Sequence, residues 1–185
     1  LGAGDGRFVL DQARKFPHKF CIGIDAAADA MRQVSQKAAA KPERGGASNA
    51  LFVWASVENL PPELCAIASE ITINYPWGSL LKALVEPNHE ALKDIVQLAR
   101  SGASLTMLIN ISVFENHEYC QKLGLPLFIL EKSKAHLTSC YRKAGIDLKR
   151  FQVLDQNIPH RTTWGQKLTQ GSGSRRTLLV EGIIQ

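Results

Sequence analysis

The chain has 185 residues, 45% of them hydrophobic and 21% charged, which is the balance of one folded domain and excludes a disordered or collagen-like chain. Its four cysteines, Cys21, Cys65, Cys120 and Cys140, are too few and too scattered for a disulfide framework or a paired-cysteine zinc site, and no apolar run is long enough to span a bilayer. Cysteine spacing and the lack of a spanning run predict a cytoplasmic protein with reduced thiols, no metal and no membrane partner, and a monomer is expected although nothing in the sequence fixes the oligomeric state; a net charge of +5 with a pI near 9.1 permits an anionic partner without requiring one.

The chain opens on Leu1-Gly2-Ala3-Gly4-Asp5-Gly6-Arg7. A glycine turn of this kind follows a β-strand, so the reading expects a first strand ahead of Leu1 that is missing here. Phe8 to Phe16 reads as a helix and Lys19 to Asp25 as a buried strand ending in a carboxylate. Ala26 to Ala40 is alanine-rich and helical, and Pro42, Gly45 and Gly46 turn the stretch after it into a linker. Ala50–Ala55 and Glu70–Asn74 are the next strands, the latter running into Tyr75-Pro76-Trp77-Gly78. A helix over Asn88–Arg100 is closed by Ser101-Gly102 before a strand over Ser104–Val113. A charged segment with Leu125-Pro126-Leu127 follows, then a helix from Ser133 to Lys143, and two late strands, Phe151–Leu154 and Thr177–Ile184, flank a long loop. The alternation predicts a single α/β domain over residues 1–185, Rossmann-like, with a mostly parallel sheet and one antiparallel strand.

Three features carry chemistry. Gly2, Gly4 and Gly6 let the backbone approach a ligand in front of a helix N-terminus. Their G-x-G-x-G spacing is tighter than the dinucleotide signature, in which the third glycine comes three residues after the second. Asp25 stands about twenty residues beyond, at a strand end, where a carboxylate accepts ribose hydroxyls; the same residue could cap the following helix. Glu58, just past the third strand, either reaches the same ligand or serves as an N-terminal helix carboxylate. Between Gln156 and Val180 there is no acidic residue, whereas His160, Arg161, Lys167, Arg175 and Arg176 fall there. With Lys37, Lys41 and Arg44 they suit phosphate, or form an ordinary solvated face; residues 41–49 and 156–176 are the RNA-contacting linkers on the first reading.

Taken together, Gly2–Arg7, Gly23-Ile24-Asp25, Gly45–Asn49, Glu58-Asn59-Leu60-Pro61, Tyr75–Leu81, Leu123–Leu127 and Trp164 with Arg175-Arg176 resemble the Kam/Npm-type methyltransferases of 16S ribosomal RNA. The resemblance implies the class I fold that uses S-adenosyl-L-methionine, held by Gly2, Gly4, Asp25, Glu58, Ser79 and Thr162. It implies methylation of N1 of adenine 1408 in helix 44 of the 30S subunit, and resistance to aminoglycosides. It also implies that Trp77 and Trp164 sandwich the adenine, and that Lys37, Lys41, Arg44, Lys167, Arg175 and Arg176 bind RNA.

The chemistry agrees with that reading. N1 lies on the pairing edge, so the base must leave its stack before it can be methylated, and flat apolar faces would hold it, each worth about 1–3 kcal/mol. Neutral adenine N1 has a free lone pair, so the reaction requires alignment rather than a general base. The sequence departs from the family at Asn74, where an apolar residue is usual. Asn74-Tyr75-Pro76-Trp77 thereby resembles the Asn-Pro-Pro-aromatic motif of enzymes that methylate exocyclic amino groups. An amino-group adenine enzyme, a tRNA guanine-N7 enzyme and an inactive cofactor- or RNA-binding module therefore stay open.

Overall fold

A computed structural model of the chain describes residues 1–87, 89–125, 128, 130–154, 158–160, 162–163, 165–166 and 176–185. Six helices, α1 (Arg7–Lys15), α2 (Ala28–Ala38), α3 (Gly78–Val85), α4 (His89–Leu98), α5 (His117–Leu123) and α6 (Leu130–Lys143), alternate with six strands. The strands are β1 (Cys21–Asp25), β2 (Ala50–Trp54), β3 (Ala68–Asn74), β4 (Ala99–Asn110), β5 (Ile146–Leu154) and β6 (Thr177–Ile184).

Among the described residues two pairs of strands are parallel, β1 with β2 in one two-stranded sheet and β3 with β4 in a four-stranded one. β6 runs antiparallel between β4 and β5, giving the order β3-β4-β6-β5, so β6 is the one reversed strand of the anticipated sheet. The interval between β1 and β3 is bridged at one end by the first residues of the chain. The Leu1 amino group donates to Thr72 O at 2.8 Å and Ala3 N to Ile24 O at 3.0 Å, as the end of a parallel strand lying between β1 and β3 would do.

Strand parity sorts the core. Ile71, Ile73, Leu105, Met107 and Ile109 alternate along β3 and β4 and pack with Leu81, Leu84, Leu92, Ile95, Leu137 and Tyr141 of the helices. Leu108 and Leu179 carry the opposite parity and pack with Tyr75 in a separate cluster. A third cluster joins Leu10 and Ala13 of α1 to Val34 and Ala38 of α2, against Cys21 and Phe52.

The fold differs from the sequence reading in three places. Ser101-Gly102 does not close a helix: α4 stops at Leu98 and the strand begins at Ala99. Gly102, at φ 82°, sits where the pairing slips from Ala68/Ala99 to Glu70/Ser104, so these turn residues make a bulge. The charged segment contains α5, started by Asn116, whose side chain accepts Tyr119 N at 3.0 Å, and stopped by Gly124 at φ 57°. Finally, α3 follows Trp77 directly, and its Leu81, Leu84 and Val85 are buried at helical spacing.

Candidate active site

A cavity of about 1120 Å³ opens at the C-terminal ends of β1, β2 and β3 and continues into the interval between β1 and β3. Gly2, Gly4, Asp25, Glu58, Trp77, Ser79 and Thr162, dispersed along the chain, all line it. The C-terminal strand edge is where open α/β sheets bind ligands.

The glycine turn and Asp25 form one unit. Gly4 adopts φ +56°, and a Cβ there would meet no atom within 4 Å, so the turn is bare on its open side. Gly6, the residue before α1, adopts φ +72°, and a Cβ would come 2.7 Å from the Phe52 ring; a side chain there is excluded by both backbone and packing. Asp25 Oδ2 accepts Gly4 N at 2.7 Å and Oδ1 accepts Ala27 N at 2.8 Å. The carboxylate thus ties the glycine turn to β1 and orders the start of α2. A carboxylate has about four acceptor positions, so two remain after these bonds. Asp25 therefore serves the local backbone and keeps capacity for a pair of hydroxyls. Glu58 is exposed in the turn after β2, next to buried Val57.

The opposite rim is made of side chains. Tyr75 follows β3 at φ +53°, a conformation that costs a non-glycine residue about 1–2 kcal/mol. Burial of its ring and a hydrogen bond of its hydroxyl to Thr177 Oγ1, at 3.2 Å, hold it there, and burial also pushes the phenol pKa up against that hydrogen bond. The bend sends Pro76 and Trp77 out of the sheet. Trp77 is 47% exposed, and its ring lies 4.7 Å from that of Tyr119, tilted by 37°. Ser79 is exposed in the first turn of α3.

Thr162 belongs to a short turn in which its Oγ1 accepts Gly165 N and its carbonyl accepts Gln166 N, each at 2.9 Å. Gly165 lies so close to Tyr75 that a Cβ would come 2.6 Å from Cε2 of that ring. Just upstream, His160 Nδ1 lies 3.0 Å from Asn74 Oδ1. Trp164, Lys167 and Arg175, together with Arg161, lie outside the described residues.

The other residues expected to contact RNA, Lys37, Lys41, Arg44 and Arg176, are exposed and do not line the cavity. Lys37 lies in the last turn of α2, Lys41 precedes a 3-10 turn at Pro42–Arg44, and Arg44 is the last residue of that turn. This stretch, read as a linker, is tightly built: Gly46 N donates to Lys41 O at 3.1 Å, Ala47 N to Ala38 O at 2.9 Å, and the Arg14 guanidinium to Gly45 O. Asn49 fastens it further, donating from Nδ2 to Ala13 O at 2.8 Å and Lys19 O at 2.7 Å. Arg176 is exposed, and its backbone pairs with Ile111 N and Ser112 Oγ at 3.0 Å each.

Sequence reasoning missed Tyr119 and His160. No local pattern marks Tyr119; it becomes visible only when α5 is seen against Trp77. His160 stood in the basic stretch as one cation among several, but burial lowers its pKa below the ordinary 6.5, with the Glu181 carboxylate opposing that shift.

A glycine turn at a strand edge, a carboxylate at the next strand end and an aromatic rim opposite, all on one cavity, define the class: an α/β domain with a ligand-sized site at the C-terminal edge of its strands. The whole-chain comparisons are specific. Residues 1–183 match the family model described as NpmA: 16S rRNA (adenine(1408)-N(1))-methyltransferase, and the chain belongs to that family. It is 37% identical over 155 residues to the 16S rRNA (adenine(1408)-N(1))-methyltransferase of Escherichia coli, a match covering 84% of this chain and 69% of the relative. It superposes on the crystal structure of the antibiotic-resistance methyltransferase Kmr with a TM-score of 0.80 and 44% identity, covering 100% of this chain and 85% of that one. A third likeness, with a TM-score of 0.85 and 26% identity over 99% of this chain and 83% of the other, is to a W203A mutant of the Catenulisporales acidiphilia enzyme crystallised with its cosubstrate SAM.

Proposed function

We propose that the chain is the S-adenosyl-L-methionine-dependent enzyme that methylates N1 of adenine 1408 in 16S ribosomal RNA, and that it confers aminoglycoside resistance. The family match carries the reaction; the structural observation that supports it is the convergence of Gly4, Asp25, Trp77, Ser79 and Thr162 on one cavity. The donor set fits the cofactor. Gly4 offers open backbone, and Asp25 keeps two acceptor positions for ribose hydroxyls. Glu58 stands on the adenosine side.

Bound there, S-adenosyl-L-methionine supplies an electrophilic methyl group. The protein's part is alignment, which can lower a barrier by up to about 7–11 kcal/mol. Trp77, backed by Tyr119, presents one stacking face to the extruded adenine, and Trp164 supplies the other. Ser79 and Thr162 bound the space between base and cofactor. The N1 lone pair attacks directly, so no side chain removes a proton. Lys37, Lys41, Arg44, Lys167, Arg175 and Arg176 contact phosphates and dock the enzyme on the folded RNA of the 30S subunit, in the cytoplasm, where shape selects the site. The interval between β1 and β3 is the seat of a further parallel strand of the same single domain, since among the described residues each of these strands pairs along its length on one side only.

Two observations weigh against the amino-group alternative. Proline is locked near φ −65°, whereas residue 75 stands at +53°, so this bend is not the backbone of an Asn-Pro-Pro motif. The Asn74 oxygen that would accept an amino hydrogen already faces His160.

Primer extension on 30S subunits treated with the chain and cofactor tests the reading. N1 methylation blocks pairing, so reverse transcriptase is expected to stop at adenine 1408. Methyl incorporation without that stop would reject the N1 assignment.

A further inference from the structure

We propose that the Asn74–His160 hydrogen bond is the joint that seats Thr162, Thr163, Gly165 and Gln166 on the end of β3, which makes His160 a positioning residue for the acceptor side of the reaction. This inference rests on the functional reading above for the identity of the acceptor.

The geometry is three-sided. An amide oxygen only accepts, so in the 3.0 Å contact Nδ1 of His160 donates to Asn74 Oδ1. The imidazole also packs on Phe8 of α1, ring centroids 5.2 Å apart and tilted by 46°. One side chain therefore touches the helix behind the glycine turn and the strand end ahead of Trp77. Five residues later, Gly165 presses on Tyr75, the residue after Asn74, with room for no side chain. These residues are thus fixed at two points to consecutive residues of one strand end.

Thr162 and Thr163 lie between those two points, and both line the cavity. His160 does not line it, so its effect on the reaction passes through those residues. Burial disfavours the imidazolium, against the pull of Glu181; the neutral ring has one N–H, and the contact with Asn74 places it on Nδ1.

The polar pair is also a matched pair. Removing one member leaves a half-buried donor or acceptor alone, whereas replacing both by apolar side chains leaves no orphan. This separates the joint from a residue that merely fills space.

The test compares His160→Phe, Asn74→Leu and the double variant with the unaltered chain in steady-state methyl transfer to 30S subunits. Cofactor affinity of the His160→Phe variant is measured by calorimetry. His160→Phe is expected to raise KM for the RNA substrate roughly tenfold with cofactor Kd within about twofold, and the double variant to recover most of that loss. Hydrogen exchange at the Gly165 and Gln166 amides should quicken in the single variants and slow again in the double. In the unaltered chain, 15N spectra should show His160 protonated at Nδ1 and bare at Nε2. An unchanged RNA KM and unchanged exchange in His160→Phe, losses that simply add in the double variant, or a bare Nδ1 would each overturn the joint. Should the unaltered chain transfer no methyl group, the functional reading fails instead, and exchange and 15N spectra still decide whether the joint seats those residues.

Discussion

The two sides of the cavity are built by different means. On the proposed cofactor side the parts are backbone and one carboxylate: Gly4 N and Ala27 N converge on Asp25, and Ala3 N pairs with Ile24 O. On the acceptor side the parts are side chains brought from three distant segments: Trp77 against Tyr119, Asn74 against His160, and Tyr75 against Gly165. A floor made of backbone is fixed once the sheet forms. A rim made of side chains can be altered one residue at a time, so substitutions there should separate RNA binding from cofactor binding, while substitutions in the floor should weaken cofactor binding and, with it, methyl transfer.

The largest effect is expected at Asp25. Asp25→Ala removes two charge-assisted hydrogen bonds, each worth about 1.5–3 kcal/mol, and leaves the glycine turn untied from β1. Cofactor affinity by calorimetry should fall by roughly 100-fold or more, and methyl transfer should be lost with it. A variant that kept its cofactor affinity would show that the floor does not depend on this carboxylate. Trp77→Ala should come next. Loss of one stacking face, about 1–3 kcal/mol, lowers kcat/KM for the RNA by roughly 5- to 150-fold. Trp77→Phe should retain more of the activity, since a smaller ring still stacks. If Trp77→Ala weakened the cofactor as much as the RNA, the two-sided division of the cavity would fail.

The same division governs what the sequence disclosed. The floor was legible because its parts act locally: glycines at fixed spacing, then a carboxylate at the next strand end, specify a turn and its partner without knowledge of the rest of the fold. Trp77 was named only through the family resemblance carried by Tyr75–Leu81, and the structure leaves it 47% exposed. A mostly parallel sheet with one antiparallel strand followed from the alternation of elements, and β6 is the reversed strand among the described residues; the order of the strands did not follow from it. The rim's supports were not legible. Tyr119 sits on a seven-residue polar helix with no buried residue, so apolar periodicity could not reveal it, although Asn116 and Gly124 flank it as cap and stop. Asn74 and His160 are 86 positions apart, and nothing near either one names the other. Ser101-Gly102 misled because the residues that close helices also make bulges.

Tyr119 sharpens the comparison at smaller scale. Among the described residues its hydroxyl is a buried oxygen without a hydrogen-bond partner, while its ring supports Trp77. The two atoms groups should therefore respond oppositely. Tyr119→Phe removes an unsatisfied polar atom and should raise stability by about 1 kcal/mol in urea unfolding, with activity unchanged. Tyr119→Ala removes the support and should raise KM for RNA several-fold while cofactor affinity holds. A Tyr119→Phe variant that lost activity would mean that the hydroxyl, not the ring, is what the site uses.

The smallest effect concerns pH, and its sign follows from burial. His160 has a folded-state pKa below the ordinary 6.5 because its ring is removed from water between Phe8 and Asn74, and the Glu181 carboxylate only partly offsets that. The unfolded chain therefore binds this proton more readily than the folded one. Stability from this source is complete above pH 6.5 and declines as pH falls below 6.5 through the lowered value. Urea midpoints measured about one pH unit above and about one below the ordinary histidine pKa of about 6.5 should differ more for the unaltered chain than for His160→Phe, which has no proton to gain. Carboxylates that do not act on His160 are the same in both proteins and cancel in the comparison. Equal losses in the two would place the acid sensitivity in the carboxylates and leave the imidazole, and with it the rim, indifferent to pH.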